Sequence, residues 1–156
     1  MKDIYTSLNL IFVAFLIGPL FVIGVFMFLM QSGQLTMQDE TLGPLLMYIG
    51  LGYIPLAIFL SNYLSKARLE KIPKDSSLLQ KMEKYRETAI LRMALIEGST
   101  FLLIIAYLFS GNMMVLAGIG LLLAFQWLNR PTVEKISSDL SLFSEEQEEL
   151  RKAVTT

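Results

Sequence analysis

The chain has 156 residues, of which 54% are hydrophobic and 17% are charged, and its mean hydropathy is +0.55. This composition excludes an ordinary soluble domain and predicts that lipid surrounds most of the chain. There is no cysteine and no histidine, which excludes disulfides, thiolate chemistry and metal or haem sites built on those residues, so we expect no metal and no cofactor.

Two uncharged stretches predict the first pair of membrane-spanning helices. Residues 8–30 carry no charge over 23 positions, which at about 1.5 Å per residue is enough to cross roughly 30 Å of hydrocarbon. This stretch is longer than the apolar part of a secretory signal and no Ala-x-Ala pattern follows it, so we expect it to be retained. Residues 44–64 form the second span, which opens at Pro44 and is expected to bend at Pro55.

Two further apolar stretches predict a second helical hairpin. They cover about residues 90–110 and 113–128, and a turn at Gly111 and Asn112 separates them. We therefore expect an all-α membrane protein with four transmembrane helices. Its parts are residues 1–80 (first hairpin and basic loop), residues 81–143 (second hairpin) and residues 144–156 (acidic tail).

Short amphipathic cytoplasmic helices are expected in the middle loop and in the tail. The loop helix begins after Ser76 or Ser77 and leads into the third span, because the segment lacks glycine and proline. In the tail, Ser144 and Gln147 have the spacing of a capping box, and four glutamates lie within residues 145–149. We favour a solvated surface helix for the tail; docking on the basic loop of its own chain or of a neighbour is the alternative.

Loop charge predicts the orientation. The 31–43 loop has no basic residue, whereas residues 65–92 contain eight of the thirteen Lys and Arg. Because Lys and Arg near span ends are retained in the cytoplasm, we expect both termini and the middle loop on that side, in a bacterial inner membrane. Tyr63 and Trp127 are expected at the interface, and Arg92 is expected to reach the cytoplasmic surface. The basic side chains predicted to contact anionic lipid are Lys66, Arg68, Lys71, Arg92 and Arg130.

The chain also contains an internal repeat. Residues 62–79 align without a gap on residues 126–143, with seven identities in eighteen positions. We interpret this as a duplicated hairpin, with two parallel copies about an axis along the membrane normal; convergence of apolar segments is the alternative. The first halves align at an offset of 80 residues, and small residues four apart then occupy equivalent helix-packing positions: Ala14, Gly18, Ala94 and Gly98.

Glu97 is the one acidic residue inside a predicted span, about 10 Å from its cytoplasmic boundary. A charge in hydrocarbon is costly, so we expect the side chain to face the bundle. Two interpretations stay open. The carboxyl either exchanges a proton or cation as the bundle changes its access, or it donates a structural hydrogen bond between helices. The polar neighbours expected for it are Thr100, Asn62, Gln126 and Asn9.

The residues form no enzyme constellation, because no nucleophile, phosphate loop or metal-ligand cluster is recognisable, and we expect no catalytic activity. We favour a non-catalytic membrane protein that associates with itself or serves as an accessory subunit of a membrane complex. The alternative is a small proton- or cation-coupled transporter that uses Glu97. The expected partners are the lipid bilayer, further copies of the chain or other membrane subunits, and no nucleic acid.

Overall fold

The computed structural model describes residues 1–73 and 75–155, and all regular secondary structure in these ranges is helical. The helices of this described part are, in chain order, α1 (Lys2–Gln31), α2 (Leu42–Leu69), α3 (Leu78–Ser110), α4 (Met113–Leu128), α5 (Val133–Asp139) and α6 (Ser144–Thr155). The expected all-α architecture is confirmed.

Three helices, α1 to α3, are long and apolar enough to cross a membrane. Helix α4 has 16 residues, so it is only about 24 Å long, and it qualifies as a fourth span only together with α5. The two helices are bent by 82° at the break between them. Pro131 explains the break, because it lacks an amide hydrogen and disfavours helical geometry at the preceding residue.

Helix α3 joins two elements that the sequence predicts separately, the loop helix and the third span. It begins after Ser77, whose side chain forms a capping box with Gln80, and it continues for 33 residues. It ends at Gly111, which adopts a left-handed conformation (φ 61°) that glycine tolerates best. Since 33 residues extend about 50 Å, α3 is longer than the roughly 30 Å of hydrocarbon in a membrane.

Helix α3 is also the centre of the bundle. Helix α2 packs along it most extensively, and α1 and α4 pack on it as well, whereas α1 and its hairpin partner α2 have at most a few close contacts with each other. The apolar core of this region includes Ile96, Leu103 and Leu122. At the end distant from the termini the backbones touch, because a methyl group on Gly43 would lie 2.6 Å from the Phe109 carbonyl oxygen.

A second apolar core lies at the other end of α3. It joins the first turns of α1 and α3 to α5 and α6, with Leu8, Met82, Ile136 and Leu150 fully buried. Met1 and Val154 pack against the same core. The chain therefore begins and ends at the same end of the bundle.

The tail is not a solvated surface helix, as we had favoured. Leu150 is fully buried, and Glu146 accepts a hydrogen bond of 2.6 Å from Lys81 of the basic segment. The expected capping box between Ser144 and Gln147 does not form; instead, the Glu146 carboxylate accepts the backbone N–H of Phe143. The tail therefore docks on its own chain through both apolar and ionic contacts.

The two copies of the predicted repeat have different local structure where their sequences match best. Helix α2 continues to Leu69, but Pro131 interrupts the second copy, and α5 then forms at positions that align with the turn after α2. Asp139 is the last residue of α5, whereas the aligned residue, Asp75, lies in the turn before α3. Duplication of the hairpin stays a prediction.

Candidate functional site

Helix α3 carries charged residues into the second apolar core. Leu78, Met82, Tyr85 and Ala89 recur at helical spacing and are buried, and the side chains beside them on the same face are buried too. Two of those neighbours are Lys81, which is 5% exposed, and Arg92, which is 8% exposed. Buried cations require compensation by acceptors or anions, so this face must be matched by polar groups on other helices.

Asp139 at the end of α5 compensates Arg92. Its carboxylate lies 3.1 Å from the Lys135 ammonium and 3.7 Å from the Arg92 guanidinium, and it accepts a hydrogen bond of 3.3 Å from the Tyr85 hydroxyl. Burial raises the pKa of Tyr85, so its phenol stays neutral and acts as a donor. Arg92 also donates to the Asn129 carbonyl oxygen at 3.0 Å. One carboxylate is thus shared by two cations and a hydroxyl.

Lys81 has a separate partner on the tail. Its ammonium lies 2.6 Å from the Glu146 carboxylate, and the two side chains are 6% and 21% exposed. The hydrogen bond from Lys81 lowers the pKa of Glu146, and the contact with the Phe143 backbone acts in the same direction. This ion pair connects α6 to α3.

A cavity of about 580 Å³ separates the end of α2 from α5, two helices that do not pack closely on each other. We call it the cationic cleft. Four cationic side chains and two carboxylates line it, together with amides, hydroxyls and apolar groups. The lining residues are Asn62, Ser65, Lys66, Leu69, Glu70, Ile72, Pro73, Lys81, Arg92, Asn129, Lys135, Asp139, Leu140, Ser141 and Phe143.

Glu97 lies one and a half turns beyond Arg92 on α3, where α1 crosses. One of its carboxyl oxygens is 3.5 Å from the position that a methyl group on Gly18 would occupy. The side chain is half-buried, and within residues 1–73 and 75–155 its carboxyl makes no hydrogen bond or ion pair. It is also outside the cationic cleft, whose lining on α3 includes Lys81 and Arg92.

The polar neighbours predicted for Glu97 do not form hydrogen bonds with it. Thr100 is fully buried and donates to the Ile96 carbonyl, and Asn9 donates to the Tyr5 carbonyl. Asn62 is exposed and lines the cationic cleft. Gln126 is buried, and its side-chain nitrogen has no hydrogen-bond partner among the residues the structure describes. A continuous polar layer around Glu97 is therefore not formed by these side chains.

The predicted helix-packing residues lie mostly on the outside of this chain. Ala14, Ala94 and Gly98 are exposed, and outside its own helix no described atom lies within 4 Å of a methyl group placed on Gly98. Only Gly18 lies partly covered, beneath Glu97. The three exposed residues therefore do not pack helices of one chain against each other. A role in packing between copies stays a prediction.

The predicted interfacial and lipid-facing residues divide into two groups. Tyr63 and Trp127 are exposed, and the Arg130 guanidinium lies 5.5 Å from the centre of the Trp127 ring. The cations that are exposed, and so remain available to lipid, are Lys66, Arg68, Lys71 and Arg130. Arg92 does not reach the surface as expected, because its guanidinium turns into the bundle toward Asp139 and Asn129.

The sequence alone did not indicate that Tyr85 and Arg92 contact Asp139, or that Lys81 pairs with Glu146. A helical projection of residues 78–93 would have identified the α3 residues of these contacts, because it places Lys81 and Arg92 on the same face as the buried apolar residues. The contribution of Asp139 requires the tertiary contact between α3 and α5. Comparison of the chain with models of known protein families, with curated proteins and with solved structures found no match.

Proposed function

We propose that this protein is a non-catalytic, self-associating membrane protein, in which Glu97 supplies a hydrogen bond between copies. One observation carries the proposal. The Glu97 carboxyl is half-exposed in an apolar span, and no described residue of its own chain pairs with it. An unsatisfied polar group in hydrocarbon is unfavourable, so a polar group of a second chain is a better neighbour for the Glu97 carboxyl than lipid.

The surroundings of Glu97 favour another helix as that neighbour. Ala94, Gly98 and Phe101 share the outward face of α3, and Ala14 and Gly18 lie on the adjoining helix α1. Small side chains let a helix of a second copy approach closely enough for a hydrogen bond to form. The occupant we propose is the same surface of a second copy, which pairs the two carboxyl groups across a two-fold axis.

This proposal includes a topology with four crossings and both termini in the cytoplasm of a bacterial cell. The location of both chain ends in one core supports an even number of crossings. The basic residues cluster at that same end, whereas Asp39 and Glu40 are in the opposite loop. A single cysteine at Ser141, compared with one at Ser32, tests the orientation in intact cells. An impermeant maleimide should label Ser32→Cys and leave Ser141→Cys unmodified.

Cysteine cross-linking tests the interface directly, because the natural chain has no cysteine. Gly98→Cys should form a disulfide-linked dimer in the membrane on mild oxidation. Gly52→Cys is the matched control, since Gly52 is also an exposed glycine in a span with open space around it. Equal cross-linking of both variants would indicate random collision, and no cross-link from Gly98→Cys would contradict the proposed interface.

Substitution of Glu97 tests its hydrogen bond. Glu97→Gln keeps a donor and should retain the dimer in mild detergent. Glu97→Leu removes the polar group and should weaken dimerisation by about 1 kcal/mol, or roughly fivefold. If the leucine variant formed an equally stable dimer, Glu97 would not supply a hydrogen bond between copies. Purification of a complex with a different protein would instead support a role as an accessory subunit.

The transporter alternative has less support. A coupling carboxylate needs an aqueous route, and Glu97 does not line the cationic cleft. Ion or proton flux in reconstituted vesicles decides between the two functions. Flux that is present in the natural protein and lost in Glu97→Gln, with the dimer intact, would favour transport over a structural hydrogen bond.

A further inference from the structure

The cationic cleft has more positive than negative charge at its surface. Lys66, Lys81, Arg92 and Lys135 line it, and the lining carboxylates are Glu70 and Asp139. Asp139 is shared by Lys135 and Arg92, and the contact with Arg92 is the longer of the two, at 3.7 Å. A guanidinium group has five N–H donors in a planar fork, so Arg92 keeps the capacity to bind a further anion.

The opposite wall of the cleft carries a second cation, Lys66, whose charge is only weakly balanced by a nearby carboxylate. Lys66 on α2 is exposed, and its contact with Glu70 is long, at 3.9 Å. Exposed pairs of this kind contribute little, so the Lys66 ammonium is able to exchange that contact for a ligand. Asn62, one turn earlier on α2, adds an amide donor to the same wall. An anion in the cleft would thus be met from both sides.

The position and the apolar lining of the cleft indicate the kind of anion. It lies where α2 and α4 end, at the level of the exposed aromatic residues Tyr63 and Trp127. Leu69, Ile72 and Phe143 contribute apolar surface beside the charges. Basic cavities between membrane helices at the cytoplasmic surface suit anionic head groups, and about 580 Å³ is within the usual size range of ligand cavities.

We propose that the cationic cleft binds a phosphate ester that carries a net negative charge, with the phosphate between Arg92 and Lys66. The chemistry is shared by two sources, the head group of an anionic phospholipid and a soluble phosphate ester from the cytoplasm. The lipid enters through the gap between α2 and α5, and the soluble ester enters from the aqueous side of the same gap. This inference does not depend on self-association.

Binding to the full-length protein, purified in a neutral detergent, tests the proposal. The probes are a short-chain phosphatidylglycerol, a phosphatidylcholine of the same chain length, and glycerol phosphate, each followed by native mass spectrometry and by thermal stability. Preference for phosphatidylglycerol without competition by glycerol phosphate identifies a lipid site. Binding of glycerol phosphate, or its competition with the lipid, identifies a soluble ligand. Retention of neither probe above the phosphatidylcholine level would overturn the proposal.

A pair of variants on α2 tests whether the ligand occupies the cleft. Lys66→Gln should weaken binding by about fivefold to tenfold, because one cation near the phosphate is lost. Arg68→Gln is the matched control, since Arg68 is an exposed cation on the same helix but does not line the cleft. Equal weakening by both variants would mean that general surface charge attracts the anion, which contradicts a built site. Neither variant removes a buried group, so both are expected to fold.

Discussion

Replacing Leu150 with alanine tests whether apolar docking holds the tail helix in place. Leu150 is 0% exposed and belongs to the core formed by α1, α3, α5 and α6. Leucine-to-alanine changes at fully buried positions destabilise by about 2–5 kcal/mol, and we take about 3 kcal/mol for this site. A 12-residue helix is marginal in isolation, so undocking of α6 also unfolds it. Because about 1.4 kcal/mol is a factor of ten, amide exchange in the tail should accelerate about a hundredfold.

Hydrogen exchange measured by mass spectrometry on peptides from residues 144–155 is the assay, with the protein in detergent at neutral pH. Leu79→Ala is the control, since Leu79 is 47% exposed and its loss should change stability by less than about 0.5 kcal/mol. An acceleration below about threefold in Leu150→Ala would contradict apolar docking, because the tail would then be held by something other than this contact. A global acceleration that includes α3 would show that Leu150 stabilises the whole fold rather than the tail.

Two further predictions concern the tail ion pair and the far end of the bundle. The folded pKa of Glu146 is lowered, so its contribution is complete above the ordinary glutamate value of 4.5 and is lost as the pH falls below it. Tail exchange corrected for its intrinsic pH dependence should therefore rise as the pH falls below 4.5 in the natural chain. In Glu146→Gln, the tail amides should already exchange about tenfold faster at pH 7, and the rise in exchange at low pH should be absent. If the rise were unchanged in this variant, another carboxyl would be its cause. Gly43→Ala should lower stability by about 1–3 kcal/mol, since the new methyl group meets the Phe109 carbonyl oxygen, and a Tm no lower than that of the open-site control Gly52→Ala would contradict this contact.

The positions of the long apolar helices follow from local properties and were therefore accessible from the sequence. Long uncharged runs must form helices in lipid, because every backbone amide needs a partner within its own segment. The turn at Gly111 and the beginning of α3 at Ser77 are likewise local, since they depend on a left-handed glycine and on a capping box. The same reasoning failed for the tail, because a capping pattern does not reveal that Leu150 finds an apolar neighbour.

By itself, the sequence determined the number of apolar segments, their lengths and the segregation of basic and acidic residues, because each depends on a few adjacent positions. Only the tertiary structure decided that α3 is the central helix and that Arg92 turns inward to Asp139. It also decided that α5 and the end of α2 leave a cleft between them. These features depend on contacts between residues tens of positions apart. The spacing of apolar residues along one helix shows which face is buried, but it does not show which other helix covers that face.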